Sequence, residues 1–136
     1  KYFYNYNNRF GFWGKLDDCL VSGGEYTPVD HKTTSSNPKG KETLEAYQHQ
    51  MNFYVLLLEK NNKPTSGIGH LIYYYPQDIV DLMNGVPVEV HVETLKTDPE
   101  AALKELAKAT EILEGDIPES SETCAFCSWH ERMKNF

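Results

Sequence analysis

The sequence predicts an α/β layer fold, and three observations predict it. Two strand-like stretches joined by glycines come first, an amphipathic helix follows, and shorter strands then alternate with helical segments in the order β-β-α-β-(α)-β-α. The 136 residues suit one domain, large enough for a real core but at the small end for an enzyme. With 40% hydrophobic and 24% charged residues, the composition is that of an ordinary globular chain.

Residues 10–21 (FGFWGKLDDCLV) and 25–34 (EYTPVDHKTT) read as two strands, with Ser22-Gly23-Gly24 supplying the hairpin turn. From Thr43 to Lys60 the apolar positions Leu44, Tyr47, Met51, Tyr54 and Leu58 recur at three and four residues, one face of a helix. Asn61-Asn62-Lys63-Pro64 stops it. Ile68 to Tyr75 is a short, mostly apolar strand, and Pro76 to Asn84 has room for a helical turn or two. Val86, Val88, Val90 and Val92 alternate with Pro87, Glu89, His91 and Glu93, a half-buried edge strand with one wet face. Asp98-Pro99 caps and opens a second helix that runs through Glu114 and is closed by Gly115. The whole of 1–136 reads as a single domain, with 120–136 a small tail carrying Cys124-Ala125-Phe126-Cys127.

The formal net charge of −7 argues against a protein that coats nucleic acid by charge alone. It is compatible with an enzyme that gathers carboxylates around divalent cations. No apolar run approaches the ~18–20 residues needed to span a bilayer, and no signal peptide opens the chain. Three widely split cysteines do not make a disulfide framework, so a reducing, cytoplasmic setting is expected. The chain opens at Lys1 on an aromatic, Asn-rich stretch (KYFYNYNNRF), which reads as a fragment or processed piece.

Chemistry concentrates on the first two strands. Alternate strand residues face the same way, so Asp30 and Lys32 share one face while Val29 and His31 take the other. Asp17, thirteen residues before Asp30, falls on the paired strand where it can sit beside it. Neighbouring carboxylates repel unless a proton or a cation lies between them. Mg²⁺ suits such a site, because it takes one or two carboxylates plus waters and phosphate oxygens. A nearby lysine can orient or deprotonate a water, or neutralise charge developing on a phosphate. Taken alone, an Asp-x-Lys on a strand is an exposed ion pair worth roughly 0–1 kcal/mol.

The stretch Gly14-Lys15-Leu16-Asp17 followed by Val29-Asp30-His31-Lys32-Thr33 resembles the G-x-[IV]-D … D-x-K-[TS] signature of RecB-type nucleases in the PD-(D/E)XK superfamily. Gln50 and Tyr54 resemble that family's Q-x-x-x-Y motif, which follows the catalytic strands. The resemblance implies a restriction-endonuclease-like mixed β-sheet flanked by helices. It implies a metal-dependent DNA nuclease, an exonuclease of recombination, repair, phage or CRISPR-adaptation type, acting on single strands or duplex ends with protein partners from such complexes. It further implies that Asp17, Asp30 and the backbone carbonyl of His31 bind Mg²⁺ or Mn²⁺, that Lys32 is the catalytic lysine, and that Gln50 and Tyr54 border the site. Asp18 rivals Asp17, although alternation puts it on the opposite face.

Two features depart from that pattern. Relatives carry a helix before the first strand that completes the metal site, and here that N-terminal helix is expected to be missing. Cys124 and Cys127 resemble the paired cysteines of a [4Fe–4S] cluster, yet such a cluster needs four thiolates and this chain alone does not supply them. With His130 they offer three Zn²⁺ ligands at most. A non-catalytic nucleic-acid-binding or assembly module with the same fold is the alternative reading, and a hydrolase of smaller phosphoesters is a third.

Overall fold

The computed structural model describes residues 1–77, 85–121 and 123–134. They fall into two compact units, Lys1–Glu105 and Leu106–Phe136. The first unit contains strands β1 (Tyr2–Asn5), β2 (Gly11–Gly14), β3 (Asp18–Ser22) and β4 (Glu25–Thr33), helix α1 (Glu45–Lys60), and strands β5 (Ile68–Pro76) and β6 (Val88–Lys96). Helix α2 (Pro99–Glu114) starts in it, and helix α3 (Ala125–Met133) belongs to the second unit.

The four-stranded mixed sheet has the order β3-β4-β5-β6. Its β3–β4 hairpin closes on Gly23 (φ 59°) and Gly24 (φ 87°), with Ser22 paired to Glu25. Positive φ at both central residues is what a two-residue turn of matching twist requires, and only glycine takes it freely. Strands β4 and β5 are parallel, Asp30 opposite Leu71 and Lys32 opposite Tyr73, with α1 as the connection between them.

Helix α1 lies on one face of this sheet. Met51 and Leu71 are fully buried there with Tyr73 and Leu95, and Tyr47 and Tyr54 pack against them. Burying each such large side chain contributes about 1.5–3 kcal/mol. A Cβ at Gly69 would come within 2.8 Å of the Met51 sulfur, so glycine there sets how closely α1 approaches β5. Buried Asn52 ties the helix onward, its Oδ1 accepting from Gln48 and from the backbone N–H of Asp98. Asp98 in turn accepts from the N–H of Ala101, the N-cap that starts α2 at Pro99 as the sequence predicts.

Three expectations change. The long strand over 10–21 is two strands, β2 and β3, interrupted at Lys15–Asp17. Strand β2 pairs antiparallel with β1 in a separate two-stranded sheet that the sequence reading did not foresee. In β6 the wet and dry faces are exchanged. Gly69 opposes Leu95 and Leu71 opposes Glu93, which puts Leu95 and Glu93 on the α1 side. The valines face away, and Val88, Val90 and Val92 are each more than half exposed. The helical turn expected within 76–84 falls largely on 78–84, outside the described residues; Pro76 ends β5. Among the described residues no helix is long and apolar enough to cross a membrane.

Candidate active site

The site forms where β4 passes beneath α1. Asp30 and Lys32 share the helix-side face of β4, and Gln50 and Tyr54, one turn apart on α1, reach down to them. Asp30 is only 2% exposed. Its Oδ1 accepts from Gln50 Nε2 at 2.9 Å and from the Tyr54 hydroxyl at 3.3 Å. Gln50 Nε2 also donates to the Tyr54 oxygen at 2.7 Å, while Gln50 Oε1 accepts from Lys32 Nζ at 2.8 Å. One amide thus holds the carboxylate, the phenol and the ammonium together.

Asp30 Oδ2 is different. The Lys32 ammonium faces it at 2.5 Å as an ion pair, and among the described residues Oδ2 has no other polar partner. A buried carboxylate oxygen is costly unless a cation compensates it. The Lys32 ammonium also lies 4.6 Å from the centre of the Tyr47 ring, a cation–π contact that holds it over the sheet.

Asp17 occupies the bend just before β3, and its exposed carboxylate accepts from the backbone N–H of His31 at 3.2 Å. It is therefore fastened to the residue between Asp30 and Lys32. Asp18 takes the other face, as alternation predicts, and its Oδ2 lies 3.2 Å from His31 Nε2. His31 Nδ1 pairs with the Tyr74 hydroxyl at 3.0 Å, so the imidazole is held from both sides behind the site. Burial, first of all, raises the pKa of Tyr54 above the ordinary phenol value, and the nearby Asp30 and Asp17 charges add to this; the Gln50 hydrogen bond opposes it. The phenol accordingly stays protonated through the neutral range and remains a donor to Asp30.

The structure thus brings Asp30, Lys32, Gln50 and Tyr54 into one network and hangs Asp17 from its backbone. Tyr47 and the Asp18–His31–Tyr74 clasp were missed from sequence. Tyr47 had a signal, since it stands three residues before Gln50 on the same helical face; Tyr74 had none, because its contact depends on how β5 registers with β4.

A family model described as the PD-(D/E)XK nuclease superfamily matches residues 3–132. The chain belongs to that superfamily. PD-(D/E)XK membership supports a metal-dependent hydrolase of phosphodiester bonds, and such nucleases generally use divalent ions such as Mg²⁺. The mixed four-stranded sheet with its helices is consistent with the superfamily's restriction-endonuclease-like fold. A solved structure titled "Crystal structure of SSO0001" is similar over 74% of this chain, at 20% identity and a TM-score of 0.44. The match covers 41% of that structure's chain, less than half its length. No curated protein matches the chain.

The residues present fit a divalent cation of the superfamily's kind. Asp30 Oδ2 is a buried carboxylate oxygen whose polar partner among the described residues is the Lys32 ammonium, and Asp17 offers a second carboxylate. Among the described residues no group of three or more His, Cys, Asp or Glu side chains is arranged to hold a metal. A donor set this small suits a hard cation that keeps several waters and accepts phosphate oxygens, rather than one enclosed by protein ligands.

Proposed function

We propose that this chain is the nuclease domain of a RecB-like DNA exonuclease, with Asp17, Asp30, Lys32, Gln50 and Tyr54 as its active-site residues across a domain spanning 1–136. The observation that carries the reading is the Asp30–Lys32 pair: a buried carboxylate oxygen faced by an ammonium and locked by Gln50 and Tyr54. Asp17, Asp30 and the backbone carbonyl of His31 would hold Mg²⁺ or Mn²⁺. A cation there supplies Lewis acidity toward the phosphoryl group and lowers the pKa of a coordinated water. Lys32 positions that water or neutralises charge developing on the phosphate. Gln50 keeps Lys32 and Asp30 in register, and protonated Tyr54 holds Asp30 Oδ1, leaving Oδ2 on the Lys32 side as the oxygen a cation would take. DNA as substrate and exonucleolytic action are supported by the motif pattern around Asp17, Asp30, Lys32, Gln50 and Tyr54. Three free cysteines fit a reducing, cytoplasmic setting, and partners from recombination, phage or CRISPR-adaptation complexes fit the same type.

Lys32→Ala is expected to abolish Mg²⁺-dependent cleavage of linear DNA. Removing the ammonium beside buried Asp30 also costs up to about 3 kcal/mol of stability. Lys32→Arg is therefore the companion: it keeps charge and fold but not the compact point charge, and is expected to cut at least a hundredfold more slowly, roughly the loss on removing one electrostatic group from a transition state. Cleavage by either variant at the parent rate would sink the mechanism, and equal turnover of linear and closed circular DNA would sink the exonuclease assignment. The net charge of −7 motivates a second reading, a non-catalytic module of the same fold, which need not take up Mn²⁺ at Asp17 and Asp30.

A further inference from the structure

The β1–β2 hairpin has a composition unlike the rest of the chain. Residues 1–16 hold three cationic side chains, Lys1, Arg9 and Lys15, and no acidic one, in a protein of net charge −7. Seven aromatic residues fall within 2–13. The hairpin is mounted by one face on α1: Phe12 packs on Phe53 with ring centres 4.9 Å apart, and a Cβ at Gly14 would meet the Leu57 side chain at 2.7 Å. Asn61 Nδ2, just past the end of α1, adds a hydrogen bond to the carbonyl of Phe3 at 2.9 Å.

The other face is open. Phe3 and Trp13 are directly opposed in the register and are 53% and 58% exposed. The Phe3 ring lies against Gly11, where an added Cβ would come within 2.6 Å of it, so glycine lets the ring lie along the hairpin. The Lys1 ammonium sits 4.2 Å from the centre of the Trp13 ring. Two large rings facing solvent with a cation against one of them offer stacking and a phosphate contact together, the pairing that binds unpaired nucleotides without regard to sequence. The position matters as much as the composition. Trp13 precedes Asp17 by four residues, at most roughly 14 Å of chain, or about four stacked nucleotides.

We infer that the Phe3–Trp13 face of the hairpin is a base-stacking platform that holds an unpaired DNA strand leading to the Asp17–Asp30 site. This rests on the nuclease reading above and adds to it a second binding surface, outside the Asp17–Asp30 site, that grips exposed bases. Intact duplex hides its base faces, so blunt duplex engages the platform only where its end frays. An apolar protein partner would fit the rings equally well, but it has no use for an acid-free cationic stretch fixed to the strand that enters the site.

In a Trp129→Phe protein Trp13 is the sole tryptophan. With divalent cations chelated, titration with a short oligothymidylate is expected to quench Trp13 fluorescence, and an abasic deoxyribose-phosphate strand of equal length is not. Equal quenching by both strands, or by neither, overturns the platform. With Mg²⁺ present, Trp13→Ala is expected to raise KM for the single strand about tenfold with kcat within about twofold, and Trp13→Phe to recover most of the loss. An unchanged KM overturns it as well. If the parent cuts the oligonucleotide while Trp13 ignores it, the platform fails and the nuclease stands; if Trp13 is quenched and nothing is cut, the nuclease fails and the platform stands. A dimer that Trp13→Ala dissociates, together with no quenching by DNA, assigns the face to protein contact and overturns the platform.

Discussion

Gln50 makes three side-chain contacts within the site, and their directions explain why a neutral amide stands among charges. Its nitrogen donates to Asp30 and Tyr54, and its oxygen accepts from Lys32. A glutamate could not donate to Asp30, and a lysine could not accept from Lys32. Tyr54 completes the arrangement by donating to Asp30 Oδ1. Tyr54→Phe leaves Asp30 Oδ1 with the Gln50 bond alone, so kcat is expected to fall roughly ten- to a hundredfold, the worth of one hydrogen bond to a charged group at about 1.5–3 kcal/mol. Steady-state cleavage at saturating Mg²⁺ checks this; an unchanged kcat would remove Tyr54 from the active site. The resemblance to the family motif singled these residues out; alternation along β4 then sets Asp30 beside Lys32, and helical spacing along α1 sets Gln50 beside Tyr54. The clasp of His31 by Asp18 and Tyr74 was not readable, since Tyr74 lies forty-three residues from His31 and meets it only through the parallel register.

At the scale of elements, the site depends on how closely α1 is set against the sheet. Met51 follows Gln50 directly and seats over Gly69, so the same contact that closes the core fixes the height of Gln50 and Tyr54 above Asp30. Gly69→Ala puts a methyl within 2.8 Å of the Met51 sulfur, a fully buried side chain with little room to yield. A loss of about 1–3 kcal/mol is expected from overpacking, together with a drop in kcat as α1 lifts. Urea unfolding and cleavage rates measured on one preparation would show both; full stability would mean Met51 repacks freely. The elements that misled the sequence reading did so for definable reasons. In β6 the alternation was correct but its sense was not, because pairing with β5 rather than hydrophobicity decides which face meets α1. The stretch 10–21 was read as one strand on its apolar and aromatic residues, although Gly14, Lys15, Asp17 and Asp18, which strands disfavour, cluster where β2 leaves β1 and β3 goes on to pair with β4.

For the whole molecule the deciding quantity is whether an acidic chain with two candidate carboxylate ligands takes up a cation. Burying the Asp30 carboxyl is costly, and the Lys32 ammonium offsets part of that cost. A divalent ion at Oδ2, with Asp17 as second ligand, would offset the rest and so stabilise the folded state over the unfolded one. Binding only to the native form raises stability by about 2.7 kcal/mol when free ligand exceeds its Kd a hundredfold. Mn²⁺ is therefore expected to raise Tm by several degrees in the parent and in Lys32→Arg, with one site in calorimetry, and chelation to reverse it. Asp30→Asn is expected to lose both the heat and the rise in Tm, because an amide replaces the charge that holds the ion. Loss in Asp30→Asn but not in Lys32→Arg separates metal binding from the work of the lysine. Uptake by neither parent nor variant would leave the fold without its cation and favour the non-catalytic module, in which Asp30, Lys32, Gln50 and Tyr54 serve as a buried polar tie between β4 and α1.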